Sequence, residues 1–299
     1  MMKNILIIGC GLIGSSLLRA IAKKKISKNI YVYDKSKKNI LKIKKLKLPC
    51  VITNDFKNII PKVDLLIFCT PMSEYEKIIL KINKYLLSKT IITDVGSTKE
   101  TSLHLIKKKL KKNISWTSSH PITGSEVSGP EFGDSNLFLK KWCILIKEKN
   151  SNKKHLNLLR KFWKKIGSKI AIMDSKKHDA IFSMTSHLPH LIAYNLVKTA
   201  TDFEKLKKYD LIKFSAGGLR DFSRIAASNE IMWRDIFFNN KQNISKVVDL
   251  FIKNLNSFKK DINSKNNKSI LKKLIQTKKV RSKIIKLKQD IDKPDFGRN

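Results

Sequence analysis

Three glycines near the amino terminus restrict the fold of this 299-residue chain more than any other feature. The stretch GCGLIG, residues 9–14, follows a short apolar run at residues 4–8 and precedes apolar residues at helical spacing. A second apolar run ends at Asp34, about 20 residues after Gly14. This order of strand, glycine turn, helix, strand and acid predicts a dinucleotide-binding unit that opens a parallel sheet.

Each residue of this fingerprint has a predicted role. Gly9 permits a tight turn, Gly11 lets backbone N–H groups approach a pyrophosphate, and Gly14 lets helix and strand pack closely. Asp34 would bind the adenosine ribose and repel a 2'-phosphate, which favours NAD over NADP. The alternative is a glycine-rich turn that binds no ligand. The predicted cofactor site also includes Leu12, Ile13, Thr70 and Pro71. Three lysines just after Asp34 could weaken its repulsion of a 2'-phosphate, namely Lys35, Lys37 and Lys38.

Further strand-like runs define the fold class. They recur at residues 63–69, 90–95, 142–148 and 169–174, with helical stretches between them. This alternation predicts an α/β fold with a doubly wound, Rossmann-type parallel sheet, whose ligand crevice lies beyond the carboxyl ends of the strands. After Asp174 only helical patterns occur. The predicted domains are residues 1–174, which bind the dinucleotide, and residues 175–299, which are all-helical.

Composition excludes several classes of protein. Hydrophobic residues make up 41% of the chain, enough for a sizeable core. The net charge of +39 would ordinarily indicate a nucleic-acid partner, but the lysines are spread without a confined patch, so none is expected. Glycines interrupt the apolar N-terminus, and no run reaches the roughly 18 apolar residues of a membrane span. The four cysteines lack metal or disulfide spacing, so a cytoplasmic protein with reduced thiols and no membrane partner is expected.

Polar residues follow two of the predicted strands. Ser73 and Glu76 have the spacing of a capping box, and so do Ser97 and Glu100. Each serine is therefore predicted to cap a helix. For Ser97 this role can coexist with a role in the site, because a helix cap at that position lies beside the crevice.

The stretch SSHPITGSEVSG, residues 118–129, combines His120 and Glu126 with turn residues. Turn chemistry explains the Gly, Pro and Ser but requires neither the imidazole nor the carboxylate. Farther along, Ser183 and His187 are four residues apart and share one face of a predicted helix, with Pro189 expected to bend the chain after it. His187 and His190 lack a third ligand at a recognisable spacing, so no metal is expected; the alternative is a buried histidine with a satisfied hydrogen bond.

The segment of residues 217–235 is rich in arginine. Arg220 and Arg224 lie one helical turn apart, and Arg234 follows Trp233. A guanidinium presents a planar fork of donors to a carboxylate, so two on one face suit a substrate with two acidic groups. The alternative is pairing with a neighbouring acid, namely Asp221, Glu230 or Asp235.

Together these segments resemble the prephenate and arogenate dehydrogenases of tyrosine biosynthesis. The resemblance includes the glycine fingerprint, DVGSTK, HPITGSEVSG, HDAIFSMTSHLPHL and GGLRDFSRIAASNEIMWRDIF, and covers about residues 2–260. Thr123 departs from it, since alanine is common there in the family. The resemblance implies an NAD-binding domain and an all-helical domain that forms a homodimer. It also implies oxidative decarboxylation of prephenate to 4-hydroxyphenylpyruvate, in which hydride passes to NAD⁺.

The resemblance also implies roles for individual residues. His120 would accept the proton of the substrate C4 hydroxyl as a neutral general base, and Ser97 would contact the same hydroxyl. Glu126 would be a gating carboxylate tied to the arginine and aspartate of RDFSR. The remaining implied residues are Ser183 and His187, which line the cleft, Arg224, which binds a substrate carboxylate, Asp221, which orients it, and Trp233, which packs nearby.

Three alternatives remain open. The first is arogenate as the substrate, which carries an amine where prephenate has a ketone. The second is a 3-hydroxyacid dehydrogenase, which would use a lysine of the helical domain as its base. The third is a basic nucleic-acid binder that keeps a dinucleotide fold, and it would require a clustered patch with interleaved aromatic residues. The length leaves no room for a fused domain, so a stand-alone enzyme is expected.

Overall fold

The computed structural model of the chain describes residues 2–287 and 289. Its first half is built around a parallel sheet with the strand order β3-β2-β1-β4-β5. These strands are β1 (Met2–Ile8), β2 (Ser27–Tyr33), β3 (Val51–Ile52), β4 (Leu65–Phe68) and β5 (Ile91–Asp94). Ile8 pairs with both Tyr33 and Phe68, and Phe68 pairs with Asp94. The carboxyl ends of these strands therefore meet at one edge of the sheet.

Helices cover both faces of this sheet. They are α1 (Leu12–Lys23), α2 (Lys37–Lys45), α3 (Phe56–Ile59), α4 (Tyr75–Ile82), α5 (Glu100–Lys109) and α6 (Lys153–Ile166). Ile5 and Ile7 of β1 pack in one apolar cluster with α1 and α6, whereas Leu6 and Ile8 pack in a second cluster with α4. All four side chains are fully buried. The unbroken apolar run of β1 is what a strand covered on both faces requires.

A smaller sheet continues the first half beside β5. It contains β6 (Ser119–Pro121), β7 (Trp142–Ile146) and β8 (Lys169–Met173), with β6 antiparallel to β7 and β7 parallel to β8. The backbone N–H of Thr117 donates to Ile92 O at 2.9 Å, which joins the two sheets. The sequence patterns did not predict β3 or β6, because both are very short and β6 contains no apolar run.

The second half is helical throughout the described residues. It contains α7 (Ser175–Phe182), α8 (Leu188–Lys207), α9 (Gly217–Ala226), α10 (Glu230–Asn239), α11 (Lys241–Asn263) and α12 (Asn267–Lys286). The predicted fold class, a Rossmann-type domain followed by helices, is confirmed. The predicted boundary at Asp174 falls at the residue that caps α7, and the full extent of the second domain stays a prediction because residues 290–299 lie outside the described residues. No described helix is long and apolar enough to span a bilayer.

Both capping-box predictions are wrong, because carboxylates from the helical domain take that role. Helix α5 begins at Glu100, and the carboxylate of Asp179 accepts the backbone N–H groups of Lys99 and Glu100, both at 2.9 Å. A 3₁₀ turn precedes α4, and its Ser73 N–H donates to Asp235 Oδ2 at 2.9 Å. These two aspartates join the helical domain to loops at the carboxyl edge of the sheet.

Candidate active site

The three glycines shape the crevice at the carboxyl edge in different ways. A Cβ on Gly14 would lie 2.0 Å from Gly9 O, and one on Gly9, where φ is +91°, would lie 2.8 Å from the Cys69 backbone. A Cβ on Gly11 would meet nothing within 4 Å. Gly9 and Gly14 are therefore required by packing, whereas Gly11 faces open space through which a ligand can approach the backbone.

The first turn of α1 provides a place for an anion. Gly11 is the N-cap residue, so no side chain of the cap residue bonds to the start of the helix. The backbone N–H groups of the first turn have no acceptor within the helix, and the helix dipole makes this end positive. Leu12 and Ile13, as the first helical residues, thus present N–H groups of the kind that bind a pyrophosphate.

Asp34 both anchors the glycine turn and lines the crevice. Its carboxylate accepts the backbone N–H of Cys10 and that of Ser36, each at 2.8 Å. Asp34 lines a cavity of about 700 Å³ together with Gly9, Gly11, Thr70 and Pro71. Thr70 Oγ1 is buried without a hydrogen-bond partner among the described residues, so it is available to a ligand. The cavity fits an adenine dinucleotide in its position and its polar groups.

His120 lies in β6 and not in a loop. The side chain is 9% exposed, and its Nδ1 lies 2.8 Å from His178 Nε2. Its Nε2 forms no hydrogen bond in the described part of the chain. Burial, and after it the nearby His178, Lys99 and His187, holds the pKa of His120 well below its ordinary value of 6.5. The imidazole is therefore neutral near pH 7, as a general base must be.

Two residues next to His120 were not singled out from the sequence. His178 Nδ1 lies 2.7 Å from Asp179 Oδ1, and both side chains are almost completely buried. Burial lowers the pKa of His178 although Asp179 opposes this effect. The only sequence signal was the dipeptide HD at the start of the helical half, which has no distinctive spacing.

A buried ion pair supports the strand that contains His120. Lys99 Nζ lies 2.6 Å from Asp94 Oδ2 and donates to Ser119 O at 2.8 Å, and both charged side chains are fully buried. Asp94 Oδ1 also accepts from Trp116 Nε1 at 3.2 Å. The patterns in the sequence did not predict this pair, although both residues belong to the segment DVGSTK, residues 94–99. Lys99 holds the backbone directly before His120.

Ser97 lies on the loop between β5 and α5. Its side chain is partly buried, and its hydroxyl forms no hydrogen bond within the described residues. The hydroxyl is therefore available to a ligand. Its contact with a substrate stays a prediction.

The polar residues of the helical domain lie around a single π-helical turn, Ser183–His187. Pro189 explains this turn, because a proline within a helix clashes with the carbonyl four residues before it and widens the preceding turn. Ser183 Oγ donates to Ala180 O at 2.7 Å. His187 Nδ1 accepts from Asn240 Nδ2 at 3.1 Å, and its buried Nε2 has no partner among the described residues.

Burial and aromatic packing characterise the histidines of this region. Burial lowers the pKa of His187 to about 4, so the ring is neutral near pH 7. His190 stacks on Trp233 with 3.8 Å between ring centroids, and Trp233 is itself buried. Within the described residues there is no group of three or more side chains that could hold a metal ion.

The arginines have different partners. Arg234 Nη2 lies 2.7 Å from Asp235 Oδ1, so for Arg234 the structure bears out the alternative of pairing with a neighbouring acid. Arg224 is 42% exposed, and its Nη2 lies 3.9 Å from Asp221 Oδ1. Glu126 accepts from Ser125 Oγ at 3.0 Å and forms no ion pair with Arg224 within 4 Å among the described residues. Its expected tie to the arginine and aspartate of RDFSR stays a prediction.

The comparison of this chain with protein families gives two adjacent matches. The model described as "Prephenate dehydrogenase, nucleotide-binding domain" matches residues 17–172. The model described as "Prephenate dehydrogenase, dimerization domain" matches residues 174–277. Together they cover most of the chain.

Individual relatives agree with these matches. Cyclohexadienyl dehydrogenase of Zymomonas mobilis is 32% identical over 290 residues, which cover 97% of this chain and 98% of the relative. Prephenate dehydrogenase of Bacillus subtilis is 31% identical over 261 residues, which cover 87% and 70% of the two chains.

A solved structure supports the same relationship. Prephenate dehydrogenase of Aquifex aeolicus, in complex with hydroxyphenyl propionate and NAD⁺, superposes with a TM-score of 0.88 at 32% identity and covers 95% of this chain and 99% of its own. Arogenate dehydrogenase of Synechocystis shares the fold, with a TM-score of 0.77 at 21% identity, and the match covers 94% of this chain and 99% of its own.

Proposed function

The chain belongs to the prephenate dehydrogenase family, and we propose that it converts prephenate to 4-hydroxyphenylpyruvate by NAD-dependent oxidative decarboxylation. One observation carries this proposal: a neutral, buried imidazole with an uncommitted Nε2 follows Ser119, whose hydroxyl donates to the last residue of β5, at the same edge of the sheet as the cavity that fits a dinucleotide. Arogenate is the alternative substrate, and the name of the Zymomonas mobilis relative, cyclohexadienyl dehydrogenase, is compatible with either.

The residues at the carboxyl edge would hold NAD. The N–H groups of Leu12 and Ile13 would bind the pyrophosphate, with Gly11 leaving room for it. Asp34 would bind the ribose hydroxyls, and the orphaned hydroxyl of Thr70, next to Pro71, would bind the cofactor farther along. When bound, NAD⁺ supplies the hydride acceptor.

The chain's contribution to the chemistry is to bind one proton and to orient the substrate. His120 Nε2 would accept the C4 hydroxyl proton as the C4 hydride departs. As the carbon–carbon bond to the ring carboxylate breaks and CO₂ leaves, the bonding electrons make the ring aromatic and the proton returns to the oxygen. Substrate and NAD⁺ thus give product, CO₂ and NADH without net proton release. Ser97 would hold the same oxygen.

Substrate carboxylates would be bound from the helical domain. Arg224 is exposed, and its Nη2 lies 3.9 Å from Oδ1 of Asp221, which would orient it. His187 accepts at Nδ1, so its neutral ring bears a hydrogen on the unpartnered Nε2 and can donate it. Ser183 and Trp233 would line the cleft, and Glu126 would gate it, with its pKa lowered by its own backbone N–H, by Ser125 and to a smaller extent by Arg224.

We also propose that the active form is a cytoplasmic homodimer built through the helical domain. The matching family model describes this half as a dimerization domain. Helices α11 and α12 expose large apolar side chains that a second copy would cover, among them Leu250, Leu255, Leu271 and Leu274.

The test is NADH formation by the purified chain with NAD⁺ and either prephenate or arogenate. We expect turnover with prephenate and release of CO₂ in equal amount. Turnover with arogenate alone would support the alternative substrate. Absence of turnover with both substrates would contradict the proposal.

Asp34→Asn is expected to raise KM for NAD⁺ by about 10- to 100-fold, because hydrogen bonds to a charged group contribute about 1.5 to 3 kcal/mol. The loss of charge should also reduce the preference for NAD⁺ over NADP⁺. Initial rates with both cofactors measure these effects. Asp64→Asn is a matched control, since Asp64 accepts the N–H groups of Lys3 and Asn4 at the opposite end of β1. Equal effects of the two substitutions would contradict the role of Asp34.

The pH dependence of kcat/KM for prephenate follows from the protonation of His120. The neutral imidazole is the active form, and the pKa of His120 lies well below 6.5. We therefore expect kcat/KM to stay constant as the pH falls from about 8 to about 6.5 and to decrease only at lower pH. Initial rates at prephenate concentrations well below KM, with saturating NAD⁺, give the profile across this range. An acidic limb centred above the ordinary histidine pKa of 6.5 would contradict this expectation.

A further inference from the structure

Hydrogen bonds connect the side chains of Asp179, His178 and His120 in series, from the helical domain to the proposed base. We infer that His178 and Asp179 are positioning residues that keep His120 Nε2 unprotonated. Neither residue is proposed to touch the substrate. Their role would be to determine which nitrogen of His120 has the proton before the reaction begins. This inference rests on the proposed function, because it concerns the base of that reaction.

The Asp179 carboxylate determines which nitrogen of His178 bears the hydrogen. It receives the backbone N–H of Lys99 at 2.9 Å, the backbone N–H of Glu100 at 2.9 Å, and the contact with His178 Nδ1 at 2.7 Å. A carboxylate that receives two backbone donors is an acceptor only. His178 Nδ1 must therefore bear a hydrogen.

The tautomer of His178 in turn determines which nitrogen of His120 bears the hydrogen. Burial lowers the pKa of both rings, so near pH 7 each is neutral and has a single N–H. With its hydrogen on Nδ1, His178 presents a lone pair at Nε2. His120 Nδ1, which lies 2.8 Å away, must then donate. The lone pair of His120 is consequently at Nε2, where a hydroxyl proton can be accepted.

The surrounding contacts keep these rings in place. Phe182 packs against both imidazoles, with centroid distances of 5.0 Å to His120 and 4.5 Å to His178. Asn240 Nδ2 donates to the backbone oxygen of Asp179 at 2.8 Å. His178 and Asp179 lie on α7 and His120 lies on β6, so the helical domain sets the state of a base that belongs to the first domain.

The surroundings of His120 favour only brief protonation of its ring. Burial is the main factor that disfavours a charged His120. Its neighbours His178 and His187 are neutral near pH 7, and the cation of Lys99, from the loop before α5, adds to the effect of burial. Asp179 has the opposite sign but lies beyond His178. A proton accepted at Nε2 is thus readily returned to the oxygen as the ring becomes aromatic.

Asp179→Asn tests the effect of Asp179 on the tautomer of His178. Oδ2 accepts the N–H groups of both Lys99, at 3.2 Å, and Glu100, at 2.9 Å, so the amide oxygen would take that position and the amide NH₂ would face His178 Nδ1. This reverses both tautomers and places the hydrogen of His120 on Nε2. We expect kcat to fall by about 100-fold or more, as removal of a general base does, with little change in KM for prephenate. Retention of wild-type kcat would overturn the inference.

His178→Gln and His178→Leu form a matched pair that tests the effect of His178 on the tautomer of His120. The glutamine carbonyl oxygen can accept the hydrogen of His120 Nδ1, whereas leucine offers no acceptor. We expect His178→Gln to keep kcat within about tenfold of the wild type. In His178→Leu we expect kcat to fall as far as it does in Asp179→Asn. Equal losses in the two His178 variants would indicate a packing role and would overturn the inference.

Nitrogen-15 NMR of the imidazoles, in the full chain without substrate, tests the inference independently of activity. We expect the ring hydrogen of His120 to lie on Nδ1 in the wild type and on Nε2 in Asp179→Asn. If the hydrogen of His120 lies on Nε2 in the wild type, the inference is overturned whatever the activity. If the wild type shows the expected tautomer but turns over neither prephenate nor arogenate, the proposed function fails and the positioning of His120 stands.

Discussion

His120→Asn is expected to lower kcat by about 10²- to 10⁴-fold, the usual contribution of a general base. Asparagine reaches only as far as Nδ1 of the imidazole, so its amide can still donate to His178 Nε2. The substitution therefore keeps the contact inside the protein and removes only the atom that faces the substrate. NADH formation at saturating prephenate and NAD⁺ measures the loss.

The control for this variant is His104→Asn. His104 is exposed on α5, away from the buried histidines, so we expect the same kcat as in the wild type. His120→Asn should also abolish the acidic limb of the pH profile, because no titrating base remains. A variant that keeps more than about a tenth of the wild-type kcat would refute the assignment of His120.

Local patterns in the sequence predicted the Rossmann-type fold. The glycine fingerprint, the apolar runs and the change to helical spacing after Asp174 all depend on residues close together in the chain. Packing at Gly14 is such a local property, since a Cβ there would meet the Gly9 carbonyl within the same turn. The structure therefore agrees with these predictions.

The supporting residues of the site could not be predicted in the same way. The carboxylate that binds the start of α5 is 80 residues away, at Asp179, and the one that binds Ser73 is 162 residues away, at Asp235. A local serine–glutamate spacing cannot indicate such partners. The contact between His120 and His178 likewise joins residues 58 apart, so each histidine alone has no distinctive signal.

Lys99→Met is expected to lower the free energy of unfolding by about 3 to 5 kcal/mol, the cost of breaking a buried ion pair from one side. The Asp94 carboxylate would stay fully buried, with hydrogen bonds from Gly96 N, Tyr75 and Trp116 but no cation. Ser119 O would also lose its donor. Urea denaturation followed by circular dichroism measures the change. Lys198→Met is the control, because its pair with Asp202 is exposed and should contribute below about 1 kcal/mol.

The double variant Lys99→Met with Asp94→Asn distinguishes a charge effect from lost packing. It removes both charges together, so no isolated charge stays buried, and we expect it to be more stable than Lys99→Met alone. A double variant that is less stable than Lys99→Met would contradict this explanation. The cation of Lys99 also contributes to the low pKa of His120, so its removal should raise that pKa. Because the neutral base is the active form, the acidic limb of kcat/KM should move to higher pH in Lys99→Met.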